Sequence, residues 1–190
     1  MTARGEEHEW LERLEGKELV QAVAEGSVRF VDDYVLSRIT ECVAQAGFDP
    51  VSFELVDKQL VGREWQGQSI RRGDRLASLG RHYLKHVVTL EEWPKGTTLG
   101  EYIGTARRVV LSNVSGIMVS RLHQRWHISF LLEEPEQRLH RSSDWVVVEY
   151  DVAAGHWWSV YRPWRGPGEV TEDKRREEVR WLREVLSGGM

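Results

Sequence analysis

Four short runs of β-branched and aromatic residues follow one another between residues 116 and 163: GIMVSRL, RWHISFLL, SDWVVVEYDV and GHWWSVYRP. Runs of this length and composition are typical of β-strands. Only His123 and Gln124 separate the first two runs, and the short turn AAG at 153–155 leads into the fourth. Because turns this short join antiparallel neighbours, the sequence predicts a four-stranded antiparallel meander, with 134–144 as a longer hairpin loop.

Helical patterns precede these strands. Apolar residues at helical spacing or helix-start signals predict helices over 6–24, 30–43, 74–87 and 98–111. The third begins at a plausible N-cap, Asp74, and the segment EEWPKG ends it. The fourth begins with Thr98 and Glu101, which have the three-residue spacing of a capping box.

The C-terminal segment TEDKRREEVRWLREVL predicts a charged amphipathic helix whose buried side consists of Val179, Leu182 and Leu186. Helices followed by a run of strands, without alternation of single strands and helices, indicate an α+β fold. The predicted fold therefore contains N-terminal helices, then a four-stranded antiparallel β-meander, and a flanking C-terminal helix.

A chain of 190 residues is long enough to bury a substantial core and short enough for one compact unit. Changes in composition divide it into three predicted parts. Residues 1–70 form a helical N-terminal lobe without an assignable role, and residues 71–165 form an α+β core. Residues 166–190 contain a loop and the C-terminal amphipathic helix.

The overall charge limits the ways in which the chain can meet a polyanion. A formal net charge of −4 argues against coating nucleic acid or an acidic membrane through bulk electrostatics, so a polyanion must be bound by a local patch. The single cysteine, Cys42, excludes an intrachain disulfide and a zinc site built from several thiolates. With no signal peptide or membrane-spanning run visible, we expect a cytoplasmic protein without a membrane partner.

The stretch LGRHYLKHVV, at 79–88, contains the most distinctive cluster of side chains. His82, Lys85 and His86 are related by three and four positions, so they project from one face of a helix. Between residues 71 and 88, five Lys or Arg residues stand against the single acid Asp74, which gives a local charge of +4. Positive charge is therefore concentrated where the two histidines lie.

Three interpretations of this cluster are open from the residues alone: a solvated helix face, acid–base chemistry on phosphates, or a metal site. One imidazole can accept a proton while another donates one, and a nearby ammonium can stabilise a phosphate oxygen. Two histidines four positions apart on a helix can also bind one metal ion. The metal interpretation is weaker, because Tyr83 stands where the zincin motif has Glu and because Lys85 would lie beside the cation.

The order of motifs along residues 71–165 resembles a known family. A basic helix with His-x-x-Lys-His is followed by a second helix and then by a meander whose last strand contains WSVY, with Ser159 and Tyr161. This arrangement is similar to that of the superfamily of small metal-independent ribonuclease toxins that includes barnase, EndoU, colicins D and E5 and RelE-type proteins. The resemblance covers about half of the chain.

The resemblance implies roles for particular residues. The implied catalytic residues are His82, His86, Lys85 and Ser159, and the implied substrate-binding residues are Arg75, Arg81, Tyr161 and Trp157. Strand alternation predicts that Trp157, Ser159 and Tyr161 share one side of the last strand. If the helix and this strand form one site, a histidine must lie within about 12 Å of Ser159, because both must reach one phosphate.

The leading functional hypothesis is a toxin-like bacterial endoribonuclease that cleaves transfer RNA or another structured RNA without a metal or cofactor. Its expected partners are RNA and a neutralising antitoxin or immunity protein. The first alternative is a non-catalytic RNA- or protein-binding module of the same fold. The second is a zinc hydrolase that uses His82 and His86.

Overall fold

A computed structural model describes residues 9–46, 80–112, 114–134 and 144–185. Its centre is a five-stranded antiparallel sheet with the order β4-β3-β2-β1-β5. The strands are β1 (Gly116–Leu122), β2 (Arg125–Glu133), β3 (Trp145–Asp151), β4 (His156–Tyr161) and β5 (Arg176–Arg183). The α+β class is therefore confirmed.

The helices pack mainly on one face of this sheet. They are α1 (Gly16–Ala24), α2 (Asp33–Gln45), α3 (Leu99–Leu111) and the short α4 (Pro167–Thr171). A further helix, here called the histidine helix, covers residues 80–89; it is α-helical over 80–83 and π-helical over Leu84–Thr89. The rest of its predicted span, from residue 74, lies outside the described residues.

The four predicted strands are confirmed as β1 to β4, and a two-residue turn sets the register between β1 and β2. His123 and Gln124 have φ values of 52° and 63°, the left-handed conformation that a two-residue hairpin turn requires at both central positions. The predicted capping box is also confirmed. Thr98 Oγ1 accepts from the Glu101 backbone N–H at 3.2 Å, and the Glu101 carboxylate accepts from the Thr98 N–H at 2.7 Å.

The predicted C-terminal helix is wrong, because its central part forms β5 along the edge of β1. Without β5, the outer N–H and C=O groups of the buried strand β1 would have no strand partner. Trp181 packs on one face of the sheet and Leu182 on the other, as alternation in a strand requires. Gly116 permits this close approach, since a Cβ there would meet a Val185 methyl group at 2.5 Å.

The predicted helix over 6–24 is interrupted in its described part. Residues 9–13 are helical, a bend follows, and α1 begins at Gly16. Glu15 and Glu18 form a capping box that starts α1 afresh. Gly16 lies against α2, because a Cβ at this position would be 3.0 Å from the Cys42 sulfur.

The N-terminal helices share one hydrophobic core with the sheet. Val20 of α1, Ile39 of α2 and Ala106 of α3 belong to the same buried cluster as Ile128 and Phe130 of β2. A smaller cluster on the opposite face contains Met118, Leu131, Val147 and Val170. No helix in the described parts of the chain has the length and hydrophobicity needed to cross a bilayer.

Two hydrogen bonds fix β4 against the helices. The buried Tyr102 hydroxyl of α3 donates to the Val160 carbonyl at 2.6 Å. The Trp157 indole N–H donates to the Val43 carbonyl of α2 at 3.0 Å. These bonds hold the strand that carries Ser159 in place.

We predict that Tyr102→Phe lowers the free energy of unfolding by about 1–3 kcal/mol, because it leaves the buried Val160 carbonyl without this donor. Urea denaturation followed by circular dichroism measures the change. Tyr34→Phe is the matched control, since Tyr34 is exposed on α2 and its hydroxyl is expected to contribute less than about 0.5 kcal/mol. Equal losses in the two variants would contradict the prediction.

Candidate active site

The histidine helix changes from α to π geometry between the two histidines. The Leu90 N–H donates to the Lys85 carbonyl at 2.9 Å, a bond that spans five residues. His82 and His86 nevertheless stay on one face, with ring centroids 5.6 Å apart and planes inclined by 7°. Local π-helical turns occur frequently at functional sites, because they alter side-chain direction without ending the helix.

The described structure brings the histidine helix and the last strand of the meander together. His82 Nδ1 lies 3.1 Å from Ser159 Oγ, although the two residues are 77 positions apart in the chain. Both side chains are buried. This distance is far below the 12 Å limit at which the two halves of the predicted site could no longer hold one phosphate.

The prediction that Trp157 shares a side with Ser159 and Tyr161 is wrong. Glu149 pairs with Ser159 while Tyr150 pairs with Trp157, so Trp158 is an extra residue that interrupts the alternation of β4. Trp157 consequently turns into the main core, where it is buried against α2. Trp158 takes a place beside Ser159 on the opposite side.

A cavity of 640 Å³ lies between the histidine helix, the end of β4 and the loop that follows it. Its size falls within the range of small-ligand sites. The predicted site residues that line it are Arg81, His82, Lys85, His86, Ser159 and Tyr161. Arg75 lies outside the described residues.

His82 is neutral near physiological pH. Burial lowers its pKa well below the usual 6.5, and the positive charges that His86, Arg81 and Lys85 can carry lower it further. Its Nε2 atom is buried and has no hydrogen-bond partner among the described residues. The tautomer with hydrogen on Nδ1 donates to Ser159 and leaves the lone pair on Nε2, as a general base requires.

His86 is held by a carboxylate that the sequence did not identify. Glu92 Oε1 lies 2.9 Å from His86 Nδ1, and both residues are buried. The other oxygen, Oε2, accepts from the Arg162 backbone N–H at 2.8 Å, and the Glu92 N–H donates to the His86 carbonyl at 2.9 Å. Because Glu92 fixes Nδ1, the Nε2 atom of His86 is the one left to meet a substrate.

Tyr161 lies on the cavity wall, but its hydroxyl is already engaged. It donates to Glu149 at 3.2 Å, and its ring stacks on His86 at 5.8 Å. Arg176 of β5 forms a buried ion pair with the same carboxylate and donates to Ser120 at 3.0 Å. Burial first, and then the charge of Glu149, raise the pKa of Tyr161 well above 10, so it stays protonated. Tyr161 therefore supports His86.

Two of the cations that line the cavity form no ion pair with a carboxylate of the described residues. Arg175 pairs with Asp173 at 2.7 Å, and Arg176 pairs with Glu149. In the part of the chain that the structure describes, neither Arg81 nor Lys85 has such a carboxylate partner. Both lie beside His82 on the histidine helix, where they can bind an anion.

The low pKa of His82 predicts a specific dependence of stability on pH. Below about pH 6.5, His82 binds a proton in the unfolded chain but stays neutral in the folded protein. The free energy of unfolding therefore decreases as the pH falls. His82→Gln removes this group. Between about pH 6.5 and 5, the free energy of unfolding of the variant should fall by up to about 1.4 kcal/mol less per pH unit than that of the wild type. Urea denaturation at several pH values measures the slope.

Ser159→Ala is the control for that experiment. It removes the hydrogen bond to His82 but keeps the buried imidazole and the cations that lower its pKa. Its slope of stability against pH should match that of the wild type. A His82→Gln slope equal to that of the wild type would show that His82 takes up its proton in the folded state.

Comparison with known proteins found no matching family model, no matching curated protein and no matching solved structure. The resemblance to the ribonuclease superfamily is therefore neither supported nor opposed by a relative.

Proposed function

We propose that this protein is a metal-independent endoribonuclease that cleaves RNA through attack of the ribose 2′-hydroxyl on the adjacent phosphorus. The observation that carries the proposal is the 3.1 Å contact between His82 Nδ1 and Ser159 Oγ. It brings a buried neutral imidazole, a second imidazole and the cations Arg81 and Lys85 to one cavity.

His82 is the proposed general base. A neutral imidazole can accept a proton, and the low pKa keeps His82 in that form at physiological pH. Substrate binding has to open a path to the buried Nε2 of His82, which then takes the proton of the 2′-hydroxyl while the oxygen attacks the phosphorus. In this role Ser159 accepts from the Nδ1–H of His82 and holds the ring in position, and the lone pair then lies on Nε2.

His86 is the proposed general acid. Its imidazolium donates the Nε2 proton to the departing 5′-oxygen, which leaves a 5′-hydroxyl on one fragment and a 2′,3′-cyclic phosphate on the other. The Glu92 carboxylate, 2.9 Å from Nδ1, accepts from that nitrogen and fixes the orientation of the ring. Tyr161 stacks on the same ring and limits its rotation.

Lys85 and Arg81 are the proposed phosphate ligands. Negative charge grows on the equatorial oxygens as the five-coordinate phosphorus forms, and cations held beside it lower the barrier. DNA lacks the attacking hydroxyl, so this chemistry is specific for RNA. Trp157, which lies in the core, has no place in this mechanism.

The resemblance to the ribonuclease toxin superfamily also implies a biological role. It favours a toxin-like protein of the bacterial cytoplasm that acts on transfer RNA or another structured RNA and is neutralised by an antitoxin or immunity protein. A binding module without catalysis remains the alternative, and it would bind RNA with steep salt dependence without cutting it. For a zinc hydrolase, the described residues contain no group of three His, Cys, Asp or Glu side chains placed to hold a metal.

We predict that the purified protein cuts RNA in the presence of EDTA and leaves DNA of the same sequence intact. His82→Ala should lower the rate about 100-fold to 10,000-fold through loss of the base. Lys85→Ala should lower it about 100-fold to 1,000-fold through loss of charge stabilisation. Gel electrophoresis of end-labelled RNA measures the cleavage rates.

Lys95→Ala is the matched control, because Lys95 is exposed and lies away from the cavity. It should keep the wild-type rate, and circular dichroism should show that all three variants are folded. Cleavage that stops on addition of EDTA, or that persists in both His82→Ala and Lys85→Ala, would refute the proposal.

We predict that Glu92→Gln lowers kcat about 10-fold to 100-fold with little change in KM, since Glu92 acts through the ring of His86. A double-mutant cycle checks this dependence. In the His86→Ala background, Glu92→Gln should cost almost nothing further. Full additivity of the two losses would show that Glu92 acts independently of His86.

A further inference from the structure

The loop between β4 and β5 forms a second part of the cavity wall, in addition to the histidine helix. Trp164 lies in this loop and lines the cavity, and 59% of its surface is exposed. It is the most exposed large hydrophobic side chain in the described parts of the chain. An indole in this position offers a flat apolar surface at a polar site.

The charges of this wall are matched within the loop itself. The Arg165 N–H donates to the Glu169 carboxylate at 3.0 Å, and its guanidinium lies 3.7 Å from Glu172. Arg175 pairs with Asp173. The loop wall is therefore close to electrical neutrality, whereas the wall formed by the histidine helix carries two cations without carboxylate partners among the described residues.

We propose that Trp164 stacks on one unpaired nucleobase of the RNA while Arg81 and Lys85 hold the neighbouring phosphate. This inference rests on the proposed function and names the part of the substrate that the site selects. The two walls match the two parts of a nucleotide, a flat base and an anionic phosphate. Because base stacking tolerates every base, Trp164 selects for an unpaired nucleotide and against a base-paired one.

The size of the cavity agrees with this substrate. A volume of 640 Å³ suits a ligand of about one or two nucleotides. In an A-form duplex the bases are stacked on each other and cannot reach an indole at the cavity wall. The scissile nucleotide therefore lies in a loop, a bulge or a single-stranded end.

Trp158 also lines the cavity, but it serves a different purpose. It packs edge-on against His127 at 5.7 Å and lies 6.2 Å from the His82 ring at a tilt. These contacts place Trp158 as support for the general base. Trp164 has no ring contact of this kind in the described structure, which leaves its face available to a base.

The test uses binding, so it does not depend on cleavage. The probe is a fluorescent single-stranded oligodeoxynucleotide of five residues, which lacks the attacking hydroxyl, and its affinity is measured by anisotropy at low salt. Trp164→Ala should weaken binding about fivefold to 100-fold, and Trp164→Phe should retain most of it. Trp10→Ala is the matched control, since Trp10 is exposed and does not line the cavity.

A second probe, the same oligomer without bases, isolates the stacking interaction. It should bind wild type and Trp164→Ala equally, because only its phosphates remain. Wild-type affinity of Trp164→Ala for the base-containing oligomer, or equal binding of both oligomers by the wild type, would overturn the inference.

The cleavage assay separates this inference from the proposed function. Binding that depends on Trp164 without any RNA cleavage would refute the ribonuclease and keep the stacking site. Cleavage with unchanged binding by Trp164→Ala would refute the stacking site alone. Absence of oligonucleotide binding by the wild type at low salt would refute the stacking site, and absence of RNA cleavage would refute the ribonuclease.

Discussion

Two buried polar linkages between the histidine helix and β4 set the geometry on which the candidate site depends. His82 contacts Ser159, and Glu92, just beyond the end of the helix, binds both His86 and the Arg162 backbone N–H. Buried polar groups must find partners, and both linkages draw those partners from β4 or the residue that follows it. The helix is thereby held against the end of β4 at two points, one for each histidine.

This arrangement carries a cost that favours a functional explanation. His82 is buried in its neutral form, and its Nε2 has no partner among the described residues. A buried acceptor left unsatisfied costs about 1–3 kcal/mol, and an apolar side chain there would avoid the cost. A neutral imidazole with one fixed and one unpartnered nitrogen beside two cations is what proton abstraction near a phosphate requires.

Local signals explain what the sequence predicted correctly. The meander follows from short turns, α3 from its capping box, and the shared face of His82 and His86 from helical spacing. The meeting of His82 and Ser159 agrees with the order of motifs, although no local signal specifies that contact. Glu92 was missed because Glu91 and Glu92 are equivalent in sequence, and only the chain path turns one outward and the other into the site.

Features that depend on pairing across the sheet were not predictable. The extra residue Trp158 follows from the register between β3 and β4, and it reverses the side on which Trp157 lies. The helical pattern of the C-terminal segment is real, but the open edge of β1 determines its structure as a strand. Helix propensity is a weak predictor of secondary structure when the open edge of a strand is available as a pairing partner.

The strand that sequence analysis missed also supports the site. β5 brings Arg176 beneath the cavity, where it neutralises Glu149, and Glu149 in turn accepts from the Tyr161 hydroxyl. Breaking a buried ion pair by removing one partner costs about 3–5 kcal/mol, because the other charge is left buried alone. Tyr161 also stacks on His86. The Glu149 carboxylate therefore links the pairing of β5 with the sheet to the positioning of the proposed general acid. The C-terminal segment thus contributes to the candidate site, although the sequence analysis placed it outside the core.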